Sequence, residues 1–486
     1  MDICDKKYGE VLALVFSDLL FIYMFLPLCL ALYYFFSDTA YRNSVLIIFS
    51  LAFYSFGEPV WVLLLIGSAL VDYLNGLFIA RCRRRRSRAA VLGVIMSLVI
   101  NLGVLILFKY SGFIMENINL ATGLSLPVKH FTLPIGISFY TFQTISYTVD
   151  VYCGRARVQR NFFDFLLYVS LFFQLVAGPI VRYTTVASEI SRRRFSVFDM
   201  SRGVERFILG LGKKVIIANS LGSIADELLT FETAPVSTAA AWAGIIMFSF
   251  QIYYDFSGYS DMAIGLGLMF GFHFEENFNY PYISKSASEF WRRWHISLGS
   301  FFRDYVYIPM GGNRRHQVVN LAVVWFLTGL WHGASWNYIF WGLFWGFLVA
   351  IEKLFLRKVL DKLPSLFGRI YLLAAAAAGW TMFYFEDLGK LKQCFLGMFG
   401  KSGIPLSDEI TMSLLKGSCF VIIAAAVFSC PVCRILSEKT EALASKSVFA
   451  YTWAKIAENI VLVGILAVSS ILLVKQSYNP FLYFRY

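Results

Sequence analysis

Apolar positions in this chain fall in long blocks, with polar residues collected between them. Early runs cover about 19–36, 43–57, 59–80 and 89–108, long enough to cross a hydrocarbon core or nearly so. Later ones lie at 132–151, 162–180, 242–272, 366–385, 412–433 and 456–474. Ser111–His130 is expected as a loop after the fourth run. Residues 203–220 mix Arg206, Lys213 and Lys214 with apolar neighbours, which predicts an interfacial helix. The pattern predicts an all-α polytopic membrane protein of about eleven spans or half-spans, with re-entrant and interfacial helices. Long polar tracts are lacking, so residues 1–486 are expected to form a single membrane domain.

Composition agrees with the pattern. The chain is 58% hydrophobic and only 15% charged, with a mean hydropathy of +0.64, well outside the range of soluble domains. The net charge of +12 comes from clustered bases. In a membrane protein these mark cytoplasmic loops and contacts to anionic membrane lipids, not nucleic-acid binding. Arg81-Cys-Arg-Arg-Arg-Arg-Ser-Arg88 is the densest run and is expected to stay in the cytoplasm, which places the N-terminus outside. The first apolar stretch is too long for a cleavable signal.

Phe162–Ile180 is flanked by Arg155, Arg157 and Arg160 on one side and by Arg182 and Arg192–Arg194 on the other. Basic flanks at both ends do not suit a simple crossing, so a broken or re-entrant element around Gly178-Pro179 is expected. Eight cysteines are scattered, and the Cys430/Cys433 pair has no second pair to complete a zinc site. Five dispersed histidines make a poor ligand set, so no metal site is expected.

Candidate chemistry concentrates between Glu289 and Trp345. Placed on a helix, 288–305 sets Phe290, Trp294, Leu298, Phe301 and Tyr305 on one face. Ser288, Arg292, Gly299 and Arg303 fall on the other, with His295 at its edge. That is an interfacial amphipathic helix, although a basic face touching lipid phosphate does not explain a histidine. A single helix over Gln317–Glu352 would run ~54 Å, far beyond a ~30 Å core, whereas a hairpin of two ~25 Å arms would fit. The apex of such a hairpin falls at His332, among Thr328, Gly329, Gly333 and Ala334. An ionisable group at that depth is either functional or a hydrogen-bonded packing residue. Asp255 and Asp261, inside another apolar run, are likewise structural glue or site residues.

Several blocks carry a family likeness. They are Pro134–Gln143, Gln174–Ile180, Asp255–Gly265, Glu275–Pro281, Phe290–Arg315, Trp331–Ala334 and Tyr478–Phe481. In these the chain resembles the membrane-bound O-acyltransferases, and among them the bacterial alginate O-acetylation branch, with core motifs at about 134–345. Gly299 stands where relatives often carry Ser, and residues before Val15 look like an extension. The resemblance implies a helical bundle with a cytoplasmic entrance for an acyl thioester and an outer entrance for the acceptor. It makes His332 the essential histidine and His295 the usual second.

The expected reaction moves an acetyl group from a thioester donor, acetyl-CoA, towards an extracytoplasmic polysaccharide at the bacterial plasma membrane. No permanently bound cofactor is expected. A neutral imidazole near its ordinary pKa of ~6.5 suits His332 as general base. His295 orients the thioester or completes the path, and Arg292 or Arg303 meets donor phosphates. Asp304, Asn313 and Trp331, with Asp255 and Asp261, complete the candidate substrate-binding set. The resemblance further suggests an esterase-like, SGNH-type partner that receives the acetyl group outside. Rival readings are transfer of D-alanine or another acyl cargo to an envelope polymer, and a channel or transporter. The transporter reading is weakened by the lack of an internal repeat.

Topology is open to direct test. Single cysteines placed in 81–88 or at 314–315, on a background without reactive native thiols, should resist an impermeant thiol reagent in intact cells. A cysteine near Met1 should react. Strong labelling of the 81–88 loop would overturn the assignment.

Overall fold

A computed structural model describes residues 14–129, 131–175, 178–230, 237–401, 403 and 405–475. Met1, His130 and the Tyr478–Phe481 block lie outside the described residues, as do two positions of the Gln174–Ile180 block. Helices, turns and loops account for everything described, with no β-strand. Six helices are long and apolar enough to cross a membrane: Trp61–Arg84, Ala90–Thr122, Val197–Leu228, Trp336–Leu360, Ser365–Tyr384 and Val448–Lys475. The bent pair Glu409–Gly417 and Cys419–Phe428 makes a seventh if taken as one span, and Phe21–Phe35 and Gln317–His332 are shorter apolar helices. The fold class is therefore the expected one, while the count of about eleven is not confirmed.

The chain divides into two compact units, one from Met1–Val204 with Ala263–Phe274, the other from Glu205–Met262 with Glu275–Tyr486. In the first unit, helices Trp61–Arg84, Ala90–Leu105 and Ile137–Cys153 meet around a buried carboxylate, Asp72. Asp72 accepts hydrogen bonds from Ser97 Oγ at 2.5 Å and Asn101 Nδ2 at 2.6 Å. Ser97 in turn lies 3.1 Å from Thr148 Oγ1. Apolar side chains alone would not fix the register of three such helices, and a satisfied polar cluster does. Gly76 leaves the space that the Tyr147 ring fills, since a Cβ there would meet the ring at 2.7 Å.

One end of this unit collects the basic segments. Arg83 Nη1 donates to Val151 O at 2.9 Å, Tyr73 OH to Arg160 O at 2.7 Å, and Asn43 Nδ2 to Ile190 O at 3.1 Å. Asn43 Nδ2 also donates to Asp164 Oδ1 at 3.0 Å, so these contacts draw the arginine runs of 81–88, 155–160 and 192–194 towards one end of the unit. The expected broken element is present in the described part of 162–180. Helix Phe162–Ser170 stops at Leu171, whose ψ of 115° leaves the helical region, and residues 178–182 are not helical.

Two expectations need correction. Ser111–His130 is not simply a loop: the helix from Ala90 continues to Thr122, because nothing breaks it before Gly123, which ends it in the left-handed region at φ 72°. Residues 203–220 do not form an interfacial helix. They lie within the long, largely buried helix Val197–Leu228. In the second unit its basic residues point inward, to carboxylates on helix Thr238–Met269. Lys214 Nζ is 2.6 Å from Asp255 Oδ1, Lys213 Nζ is 2.6 Å from Asp261 Oδ2, and Arg206 Nη2 is 2.8 Å from Asp261 Oδ1. Gly210 and Gly258 let the backbones approach, since a Cβ on either would come within 2.7 Å of the other's carbonyl oxygen.

The Lys214–Asp255 pair is buried on both sides, so Lys214→Met should destabilise the protein by roughly 3–5 kcal/mol by leaving a buried carboxylate without its cation. Adding Asp255→Leu should recover most of that loss. Thermal unfolding in detergent measures both, and equal loss in single and double variants would contradict the pairing.

Candidate active site

Two apolar helices, Gln317–His332 and Trp336–Ile351, form the hairpin that the length argument requires, closed by Gly333-Ala334-Ser335. Glycines make the close packing of the arms possible. A Cβ on Gly342 would lie 3.0 Å from Gly329 Cα and closer still to Trp325 O, and one on Gly346 would strike Trp325 Cβ at 2.8 Å. The chain then leaves the first arm at His332 and re-enters at Trp336, so the imidazole sits at the apex, 6% exposed. Aromatic rings enclose it edge to face, with Trp331 and Trp341 at 4.9 Å and Phe383 at 5.3 Å between centroids.

The segment bearing the second histidine is not one amphipathic helix. Ala287–Phe290 and Ile296–Phe302 are separate helical turns with a break between them. His295 occupies that break at φ 45°, ψ 54°, the left-handed region that non-glycine residues rarely adopt. The expected apolar stripe is real, yet Phe290, Trp294, Leu298 and Phe301 are buried in protein. Phe290 stacks on Trp345 at 5.4 Å with an interplanar angle of 6°. Trp291 sits edge-on to Trp325 at 4.9 Å and to Trp341 at 5.5 Å. The aromatic residues of the break therefore key into the hairpin arms.

Two polar side chains hold the break. Asn277, fully buried, accepts Ser297 N–H at 3.1 Å and Ser297 Oγ–H at 2.9 Å through Oδ1, which lies 3.3 Å from His295 Nδ1. Its Nδ2 donates to Ser260 Oγ at 3.2 Å, and its backbone carbonyl accepts Ile296 N–H at 3.0 Å. Oδ1 is only an acceptor, so the proton of a neutral His295 belongs on Nδ1 and the lone pair on Nε2. Glu352, on the second arm, accepts the backbone N–H of Ala287 at 2.5 Å and of Ser288 at 2.8 Å. It ties the helical turn before His295 to the hairpin.

His295 is 1% exposed and stands edge-on to Phe256 at 4.6 Å. Burial pushes its pKa down to about 3, which keeps the ring neutral at physiological pH. Its centroid is 5.8 Å from that of Trp331, whose own is 4.9 Å from His332. The two histidines, distant in sequence, thus flank one buried tryptophan.

Residues 131–387 match the model of the membrane-bound O-acyltransferase family. The chain is also 36% identical to a probable alginate O-acetylase of Azotobacter vinelandii, over 97% of this chain and 100% of that one. The chain belongs to the membrane-bound O-acyltransferase family. It is a multi-pass membrane protein and an O-acyltransferase, so it requires an acyl donor as co-substrate, and the transporter alternative is set aside. A peptidoglycan O-acetyltransferase of Helicobacter pylori is 34% identical over 82% of each chain. A teichoic acid D-alanyltransferase of Bacillus subtilis is 28% identical over 48% of this chain and 62% of its own.

Within this acyltransferase the candidate residues separate. His332, Trp331 and His295 come together. Asp255 and Asp261 face basic partners on helix Val197–Leu228, as structural glue would. Asn313 accepts from Tyr307 OH at 2.7 Å and Gln317 Nε2 at 2.8 Å. That puts it at the open end of the hairpin, a 16-residue helix away from the apex. Arg303 is exposed and paired with its neighbour Asp304 at 2.7 Å. Arg292 is exposed and makes no ion pair among the described residues. Asn277 and Glu352 were not among the expected site residues. Asn277 falls in the family-like block Glu275–Pro281, and Glu352 is a lone carboxylate ending an apolar run, which were the available signals.

Asn277→Asp should place a carboxylate beside His295 and raise its pKa from about 3 by roughly one to three pH units. If the neutral ring is required, the acid limb of kcat moves to higher pH while the protein stays folded. An unchanged pH profile would leave Asn277 a purely structural residue.

Proposed function

We propose that this acyltransferase moves an acetyl group from a cytoplasmic thioester, acetyl-CoA, towards a hydroxyl of an extracytoplasmic polysaccharide. The supporting observation is the pair of buried histidines on either side of Trp331 at the apex of the hairpin. An acceptor O–H approaches the thioester carbonyl, and His332 takes its proton as the new O–C bond forms. Collapse of the tetrahedral intermediate breaks the C–S bond, and the imidazolium returns the proton to the departing thiolate. His295, held neutral, orients the thioester or the proton path. Arg292, exposed and without an ion-pair partner among the described residues, meets the donor's phosphates as a charge partner, and its loss raises the KM for the donor.

The chain works as one acyltransferase domain in the bacterial plasma membrane, with its N-terminus outside and its basic loops in the cytoplasm. A relay to an esterase-like, SGNH-type partner would finish the transfer outside. Acetyl is favoured over D-alanyl cargo by the extent of similarity, nearly the whole chain for the alginate-type relative against about half for the D-alanyltransferase.

His332→Gln keeps volume and hydrogen bonding but is a far weaker base. It should cut acetyl transfer by roughly 10²–10⁴-fold, measured per folded, membrane-extracted molecule. His332→Ala should behave the same at normal expression. Near-normal turnover in His332→Gln would remove it as the base.

A further inference from the structure

The first unit holds a pair of buried guanidiniums that the chemistry above does not use. Arg42, near the start of helix Thr39–Gly57, and Arg193, just past helix Tyr183–Ser191, are each 9% exposed. Their charged heads lie 5.2 and 5.8 Å from the centre of the same Tyr33 ring. Arg42 also stands 5.3 Å from the Tyr34 ring, and Arg193 stands 4.6 Å from that of Phe272.

Among the described residues their hydrogen-bond acceptors are all neutral. Arg193 donates to Tyr33 OH at 3.0 Å, to Glu189 O at 3.2 Å and to Asn43 Oδ1. Among the described residues Arg42 donates only through Nε, to Phe36 O at 3.1 Å. Neither forms a salt bridge to a carboxylate among the described residues. The acids of this neighbourhood have other partners. Glu189 takes His273 Nδ1 at 2.7 Å and the His273 N–H at 3.2 Å. Asp164 takes Asn43 Nδ2 at 3.0 Å, and Asp38 caps its helix at Tyr41 N–H, 2.8 Å away.

Two like charges largely withdrawn from water around one tyrosine ring act unfavourably on each other, and cation–π contacts with neutral acceptors offset only part of that. Buried charges in folded proteins are ordinarily balanced by an opposite charge. Here no carboxylate lies within salt-bridge distance of either head among the described residues, and Glu189 acts on Arg193 only from further off, while Arg42 keeps both terminal nitrogens as a planar fork of donors, the shape that grips phosphate oxygens in pairs. The surrounding end of the unit carries the basic runs of 81–88, 155–160 and 192–194, which would raise the local concentration of anions.

We propose that Arg42 and Arg193 form a binding site for a phosphate-class anion. The shared chemistry fits the phosphodiester of an anionic phospholipid and the phosphates of a soluble nucleotide-bearing thioester alike. The site does not depend on the role given to His332, because its readout is binding.

The test uses the full chain, stripped of lipid in detergent. Phosphatidylglycerol, phosphatidylcholine and coenzyme A are added separately, and binding is followed by native mass spectrometry and by the unfolding midpoint. Wild type should bind phosphatidylglycerol or coenzyme A and be stabilised by it, and phosphatidylcholine should have little effect. Arg42→Gln should bind that anion about tenfold more weakly or worse, and Arg42→Lys should fall between the two. Preference for phosphatidylglycerol names a lipid site, and preference for coenzyme A names a donor site. If wild type binds neither anion at millimolar concentration, the proposal fails, whatever the variants do. It fails equally if folded Arg42→Gln binds as well as wild type.

Discussion

The site rests on one contact, the approach of two helix backbones at Gly329, Gly342 and Gly346. Any side chain at Gly342 would occupy the space of Trp325 O and Gly329 Cα, so the arms meet backbone against backbone. That closeness has two consequences. The chain must turn within three residues, which leaves His332 at the apex. The bulky rings of Trp325, Trp341 and Trp345 must also project sideways, where they meet Phe290 and Trp291. The left-handed residue His295 is therefore held by the same packing that closes the hairpin.

Aromatic packing supplies shape, and hydrogen bonding supplies orientation. In apolar surroundings a polar group left without a partner is costly, so each one that is paired fixes geometry strongly. Asn277 spends its oxygen on Ser297 and faces His295 Nδ1. Glu352 spends both carboxylate oxygens on the N–H groups that open helix Ala287–Phe290. Lys214 with Asp255, and Asp261 with Lys213 and Arg206, do the same for the long helices. Against that background the Arg42 and Arg193 pair stands out, because among the described residues neither forms a salt bridge to a carboxylate and their hydrogen-bond acceptors are neutral.

In the proposed mechanism a buried, neutral histidine and an apex histidine on either side of one tryptophan would divide the labour of acyl transfer. A base must accept a proton and give it back, while an orienting group must hold its protonation state throughout. The depressed pKa of His295 suits the second task, and the proposed mechanism gives the first to His332.

The sequence by itself determined the membrane class, the broken element near Gly178-Pro179 and the hairpin with His332 at its tip. These follow from local quantities: run length, breaker residues, and the distance a helix covers per residue. Family-like blocks further marked His295. Tertiary structure alone decided that 288–305 breaks at His295 instead of running on as a helix. The deciding partner, Asn277, is far enough away in sequence that helical periodicity cannot register it. It also decided that Arg206, Lys213 and Lys214 face carboxylates inside the protein. A basic residue on an amphipathic stretch looks the same in sequence whether water or an aspartate awaits it, and only the packing of a second helix settles which. Asn313 shows the converse: close to the histidines in sequence, it lies at the far end of the hairpin because an intervening helix carries the chain away.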